Sequence, residues 1–228
     1  MTSRPLRDHS LLDRVARVDA AALSDANKSL RVLPAALRLV SAGTRMAGRA
    51  VTADSDDDLL SVLAGLEACG PGDVLVVNAN GSANAVAGEL FATEAARRGL
   101  AGLVVHGMVR DSHALARLTL PVFALGTTPR AGTARKVPSI NVPVSLDGIV
   151  VTPGDLLVGD SDGIIVATEE EMAAAIDKAE SIRLTEEALV LSMGAGASLF
   201  ERLNFADHVA KVRAGEESAL RFLSPPGS

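Results

Sequence analysis

Glu89, Arg110 and Asp111 are the side chains whose types and spacing could do chemistry. They fall in one stretch, residues 88–111, with an acid at the start of a helix and an Arg-Asp pair just beyond a strand. The first turn, Gly88-Glu89-Leu90-Phe91, offers free backbone N–H groups at the positive end of the helix dipole, which suit a carboxylate or a phosphate. Arg110 and Asp111 follow the carboxyl end of that strand, where open α/β sheets place their ligands. The competing reading is a surface ion pair contributing at most about 1 kcal/mol, with Glu89 merely complementing a helix dipole. Two features weigh against it: both elements end at the same edge of a buried sheet, and the strand between them is apolar throughout.

The elements that must hold these residues can be read from pattern. Leu90, Phe91, Ala95 and Ala96 recur at helical spacing over Glu89–Arg98, and Arg97-Arg98-Gly99 is a helix exit with cations near the negative end. Leu100 to Val105 predicts a strand buried on both faces, followed by a glycine turn at Gly107. Upstream, Leu11, Leu12, Val15, Val18 and Ala22 predict helix over residues 10–30, with Ser24-Asp25 capping a second short turn. Residues 49–53 read as strand. Ser55-Asp56-Asp57-Asp58 opens a helix to Ala68, its acids serving as an N-terminal cap rather than a metal site. Pro71-Gly72-Asp73 turns the chain into a strand at 74–77, and 78–84 is a polar loop long enough to wrap a ligand.

Beyond the focal stretch the pattern predicts a short helix at 112–118, a strand at 120–124 and an irregular loop at 126–139. Strands follow at 140–146, 149–152, 156–159 and 164–167, the first two joined by an Asp147-Gly148 hairpin turn. An acidic start at Thr168-Glu169-Glu170-Glu171 opens a helix that runs to Met193 and breaks at Gly194-Ala195-Gly196. Residues 198–223 are amphipathic, and Pro225-Pro226-Gly227-Ser228 reads as a frayed end. The class is therefore α/β with a mixed sheet: one domain over residues 1–190 and a helical extension over 191–228.

Composition narrows the function. Of 228 residues 48% are hydrophobic but only 2% aromatic, so the core is built from Ala, Val, Leu and Ile, and bases would find almost no rings to stack on. A net charge of −6 also argues against nucleic acid. One cysteine, Cys69, excludes an internal disulfide or a cysteine-built zinc site and fits a reducing cytoplasm. The N-terminus has no apolar leader core, and no apolar run reaches the ~18 residues of a membrane span. The expectation is a cytoplasmic protein with no membrane partner. A serine-hydrolase elbow and a P-loop are both absent. Asp160-Ser161-Asp162-Gly163 has its glycine too early for a calcium loop, and His106 and His113 read as structural or surface histidines. Lys28, Lys136, Lys178 and Lys211 fall in loops or on polar helix faces, which disfavours a Schiff-base mechanism.

The order Gly-Glu-Leu…Arg-Gly…Gly-Leu-Val-Val-x-Gly-x-Val-Arg-Asp resembles the 4-hydroxy-4-methyl-2-oxoglutarate aldolase family, which includes proteins like the regulator of ribonuclease activity A (RraA). The resemblance spans residues 20–175 and takes in Ser24-Asp25-Ala26, Pro121-Val122-Phe123-Ala124, Thr128-Pro129-Arg130, Asn141-Val142-Pro143-Val144 and Pro153-Gly154-Asp155. It implies a β/β/α swivelling-domain (RraA-like) fold with C-terminal helices, and a homotrimer or dimer of trimers with sites at subunit interfaces. It also implies a class II lyase that releases pyruvate from 4-hydroxy-4-methyl-2-oxoglutarate-type 2-keto acids and decarboxylates oxaloacetate. By position, Asp111 matches the ligand of Mg²⁺ or Mn²⁺, and Arg110 the residue holding the keto oxygen. Glu89 matches the acid that reaches the metal through water. Gly88 to Phe91, through the N–H groups of Leu90 and Phe91, match the cradle of the pyruvyl carboxylate. Glu stands at 89 where the aldolases tend to carry Asp, and Asn78 and His106 stand where relatives often carry Asp. The alternative is a non-catalytic binding module of the ribonuclease-regulator type.

Overall fold

The computed structural model describes residues 9–223; residues 1–8 and the frayed end expected at 225–228 lie outside the described residues. The chain divides into two compact units, residues 1–179 and 180–228.

The first unit opens with helices α1 (His9–Val15) and α2 (Ala20–Ala26) and short strands β1 (Arg31–Val32) and β2 (Arg38–Leu39). The central run is β3 (Met46–Asp54), α3 (Leu59–Ala68), β4 (Asp73–Asn78), β5 (Ala85–Ala87), α4 (Glu89–Arg97), β6 (Gly102–Val109), α5 (Ser112–Leu115) and β7 (Val122–Thr127). Then come β8 (Ser139–Ile140), the hairpin β9 (Val144–Leu146)–β10 (Ile149–Val151), β11 (Leu156–Asp160), β12 (Gly163–Ala167) and the start of α6 (Glu169–Gly194). The large sheet runs β1-β12-β11-β3-β4-β6-β7-β2, with β5 on β6 and β8 on β3. Strands β3, β4, β6 and β7 are parallel, and β11, β12, β1 and β2 flank them antiparallel.

Period-two alternation sorts this apolar sheet into three layers. Leu75, Val77, Leu103 and Val105 face the side covered by α3 and α4, among Val62, Leu66, Ala92 and Ala95. Val74, Val76 and Val104 face the other side, against Val144, Leu146 and Val151 of the β9–β10 hairpin. Hairpin, sheet and helices make the β/β/α arrangement that the resemblance implies. Asp147 and Gly148 both have positive φ, 48° and 89°, as the hairpin turn requires.

The sequence pattern and the structure differ at several places; the strand expected at 140–146, for one, is broken, with β8 ending at Ile140 and β9 starting at Val144. Helix does not run unbroken through 10–30: it stops at Val15, and Asp19, not Ser24-Asp25, caps α2 by accepting from the Ala22 N–H at 2.6 Å. The apolar spacing hides the break because Val15, Val18 and Ala22 are all buried. Gly107 makes no turn; β6 continues through it to Val109, irregular against β7 between Val105 and Met108. A Cβ at Gly107 would stand 2.6 Å from the Cβ of Ala79, so close approach rather than a turn requires glycine. Finally β5 follows the loop expected at 78–84, and at three residues it is too short for a period-two pattern to announce it.

The buried Asp160 carboxylate shows what the Asp160-Ser161-Asp162-Gly163 run does. Its Oδ2 accepts from the Ala20 N–H at 2.8 Å and its Oδ1 from the Asp162 N–H at 3.0 Å, tying the β11–β12 turn to the first turn of α2. Asp160→Ala is expected to cost about 1–2 kcal/mol, the scale of a lost helix cap, read as a lower urea midpoint with unchanged m.

Helix α6 buries Met172, Ala175, Ile176 and Ala179 at helical spacing in the first unit. The second unit holds the rest of that helix, a 3₁₀ turn at Leu199–Arg202 closed by a Ser198–Glu201 capping box, and α7 (Phe205–Arg213). Phe200 and Phe205 meet edge-on at 5.4 Å. No described residue from 180 to 223 is buried. Among the described residues no helix is long and apolar enough to cross a membrane.

Candidate active site

The focal stretch folds as helix, stop and strand. Gly99, at φ +73°, ends α4, and β6 carries the chain back through the sheet to Arg110 and Asp111. The Arg110 N–H donates to the Ala87 carbonyl at 3.0 Å, which sets the end of β6 against the residue just before Gly88.

Gly88 is the N-cap of α4. Its backbone is extended, so conformation does not demand glycine; space does. A Cβ here would stand 2.6 Å from Asp111 Oδ2 and 2.8 Å from Arg110 Cγ. Asp111 Oδ2 accepts the Glu89 N–H at 3.1 Å and lies 3.5 Å from Arg110 Nε. The N–H groups of Leu90 and Phe91 meet no acceptor among the described residues. Asp111 itself is in the left-handed region, φ 59° and ψ 39°, a conformation that costs a non-glycine residue about 1 kcal/mol or more. Its carbonyl accepts from Ala114 and Leu115 at 2.9 and 3.0 Å, which holds it there.

Leu59, Ala85, Ala87, Gly88, Leu90, Phe91, Arg110, Asp111 and Ala131 line a small cleft. A second, more open groove continues from Arg110 and Asp111 past Ser112, His113, Thr127 and Thr128. Of the residues expected at the site, Gly88, Leu90, Phe91, Arg110 and Asp111 are brought together. Glu89 contributes its backbone N–H, while its exposed side chain does not line the cleft. His106 is buried on the hairpin side of the sheet, with Nδ1 3.3 Å from Asn78 Oδ1 and Nε2 3.2 Å from Asp147 Oδ1. His113 sits in the outer groove beside Arg117.

The donor chemistry bears on whether a divalent cation fits. Among the described residues no three His, Cys, Asp or Glu side chains converge, so a closed protein cage is absent. One carboxylate oxygen beside a space that a Cβ would fill suits Mg²⁺, which keeps most of its waters and takes only one or two protein carboxylates. On that donor set the residues present fit such an ion.

Sequence reasoning missed the wall contributed by Leu59, Ala85 and Ala131. It rests on the acidic run. Asp58 caps α3 through the Leu60 N–H, and its Oδ2 takes the Thr133 hydroxyl at 2.6 Å and the N–H groups of Arg135 and Lys136 at 2.7 and 3.1 Å. Burial alone would raise its pKa; the hydrogen bonds from Thr133, Arg135, Leu60 and Lys136 outweigh that and hold it well below the usual value of 3.8. Its contribution to stability is therefore complete above the unfolded-state value and lost as the pH falls through the lower folded one. Urea unfolding followed from pH 6 to pH 2 should steepen below pH 3.8 in the natural protein and less so in Asp58→Asn.

An α/β domain with a free helix N-terminus, an arginine and an aspartate around one small cleft has a site whose chemistry suits a small anionic molecule. Residues 19–166 match the family model RraA-like, described as Aldolase/RraA, and the chain belongs to that family. A Halalkalibacterium halodurans protein provisionally named a 4-hydroxy-4-methyl-2-oxoglutarate aldolase is 34% identical over 173 residues, 75% of this chain and 82% of that protein. The RNA-processing inhibitor RraA from Thermus thermophilis superimposes with a TM-score of 0.64 at 33% identity, covering 67% of this chain and 94% of the other. Streptomyces coelicolor RraAS2, described as an unusual member of the RNase ES inhibitor RraA family, gives 0.69 at 30% identity, with 82% and 98% covered.

Proposed function

We propose that the chain is a divalent-metal-dependent, class II lyase that cleaves 4-hydroxy-4-methyl-2-oxoglutarate-type 2-keto acids to pyruvate and decarboxylates oxaloacetate. The observation that carries it is the close approach at Gly88, where a helix N-terminus, the Asp111 carboxylate and the Arg110 side chain meet with no room for a Cβ. The aldolase names of the relatives support the same reaction class.

Asp111 would hold Mg²⁺ or Mn²⁺, which when bound withdraws electrons from the keto carbonyl. The free N–H groups of Leu90 and Phe91 bind the pyruvyl carboxylate at the positive end of α4. Arg110 holds the keto oxygen and stabilises the negative charge gathering there as the C3–C4 bond breaks. In the retro-aldol case the C4 hydroxyl gives up its proton and C3 gains one; Glu89, next to Gly88 but with its side chain outside the cleft lining, would have to turn inward to move those protons. Leu59, Phe91 and the alanines keep water from the reacting carbons. The working state we propose is a cytoplasmic homotrimer or dimer of trimers.

A lactate-dehydrogenase-coupled assay across a panel of 2-keto acids, with Mg²⁺ and with EDTA, tests this. Pyruvate release that chelation abolishes is expected; release that survives chelation rejects the metal-dependent reading. The second reading is a binding module that regulates RNA processing, favoured by the inhibitor relatives. Capture of a stoichiometric ribonuclease partner with no turnover on any keto acid would select it.

A further inference from the structure

We infer that Asp57 and Asp58 are positioning residues that fasten residues 130–136 as one wall of the cleft and thereby set its affinity for the keto acid. The affinity half rests on the proposed lyase reading; the fastening half does not.

The geometry is a knot of three chain segments. Residues 130–133 are threaded between Ala85 and the start of α3. The Ala85 N–H donates to the Arg130 carbonyl at 2.7 Å, and the Gly132 N–H returns to the Ala85 carbonyl at 2.9 Å. On the other edge, the Thr133 N–H donates to the Asp57 carbonyl at 3.0 Å, and the Leu59 N–H to the Thr133 carbonyl at 2.7 Å. The residues thus stitched together, Ala85, Ala131 and Leu59, are three that line the cleft. Two carboxylates lock the stitching. Asp58, fully buried, takes three bonds on Oδ2 from Thr133, Arg135 and Lys136, besides the Leu60 N–H on Oδ1. Asp57 accepts from the Ser82 hydroxyl and from Asn84 Nδ2, tying in the loop that leads to Ala85. The fit is close: a Cβ on Gly132 would stand 2.5 Å from the Asp57 carbonyl oxygen.

Beyond these ties the Lys136 ammonium reaches the Asp56 carbonyl and carboxylate, each at 2.6 Å, and apolar packing adds little. Thr133 to Pro138 are exposed, Val137 by 91%. A segment with few apolar contacts opens locally unless polar ties hold it, and hydrogen bonds to a buried charged group are the strong kind. Asp57 and Asp58 touch no substrate in this scheme; they act through Leu59, Ala85 and Ala131.

Thr133→Val tests the inference, because it deletes one hydroxyl and keeps shape, charge and the backbone ladder. Amide exchange over residues 85–91 and 131–136 should quicken about tenfold. KM for the keto acid should rise about tenfold with kcat within about twofold, as expected when ground-state and transition-state binding are lost together. Gly132→Ala, which intrudes on the Asp57 carbonyl, should do the same. Asp160→Ala, in a cap elsewhere in the unit, is the control: it lowers stability and leaves KM alone. Unchanged exchange over 85–91 in both loop variants overturns the fastening. Faster exchange with an unmoved KM, or the same KM shift in the control, overturns the link to affinity. If the natural protein releases no pyruvate from any keto acid while exchange still quickens, the lyase reading falls and the fastening stands.

Discussion

Arg110→Ala is expected to lower pyruvate release by at least about 100-fold, the scale of losing one oxyanion donor. The loss should fall on kcat, since the guanidinium is assigned to charge that develops only as the carbon–carbon bond breaks. It should not fall on folding. The Arg110 side chain is 44% exposed, its ion-pair contact with Asp111 is 3.5 Å, and its backbone anchor to Ala87 survives the change. Surface substitutions of this kind stay within about 0.5 kcal/mol. Arg110→Lys should recover only part of the rate, because an ammonium on a flexible stem cannot reproduce a planar guanidinium fork. The coupled assay beside a thermal melt checks both halves; full kcat in Arg110→Ala would remove the arginine from the chemistry.

Gly88→Ala is expected to be nearly as damaging, through a different atom. The new methyl would lie 2.6 Å from Asp111 Oδ2 and 2.8 Å from Arg110 Cγ, so one or both side chains must leave. The added Cβ does not strain the extended backbone at this position, and so the fold should survive while the site does not. A loss of about 100-fold in kcat/KM, with a higher Mg²⁺ concentration needed for half-maximal rate, is the expected result. Asp111→Ala should remove the response to Mg²⁺ altogether, measured as heat of Mg²⁺ binding as well as turnover. Mg²⁺ binding that persists undiminished in Asp111→Ala would place the ion elsewhere.

What was legible in the chain was whatever local pattern decides. Helix α4, its glycine stop and β6 followed from apolar spacing and a Gly at the exit, and so did the Arg-Asp pair at the strand end. The hairpin at Asp147-Gly148 followed from turn chemistry. The acidic run at 55–58 was readable as a cap because Asp58 serves Leu60, two residues away. Its grip on Thr133, Arg135 and Lys136 was not, because those partners lie 75 residues or more along the chain. The break at Asp19 was masked by an apolar stripe that both short helices share. Gly107 shows the same limit: a glycine announces that something approaches closely or turns, and only the position of Ala79 says which.

The left-handed backbone at Asp111 carries a consequence for how this domain can diversify. Short side chains that bond locally tolerate that conformation, and asparagine does so as well as aspartate. Exchanging one carboxylate oxygen for an amide nitrogen would leave the turn, the neighbouring helix and the sheet untouched while discarding the negative charge a cation needs. A single codon step therefore separates an ion-binding copy of this architecture from an ion-free one of identical shape, free to be selected for what its surface touches.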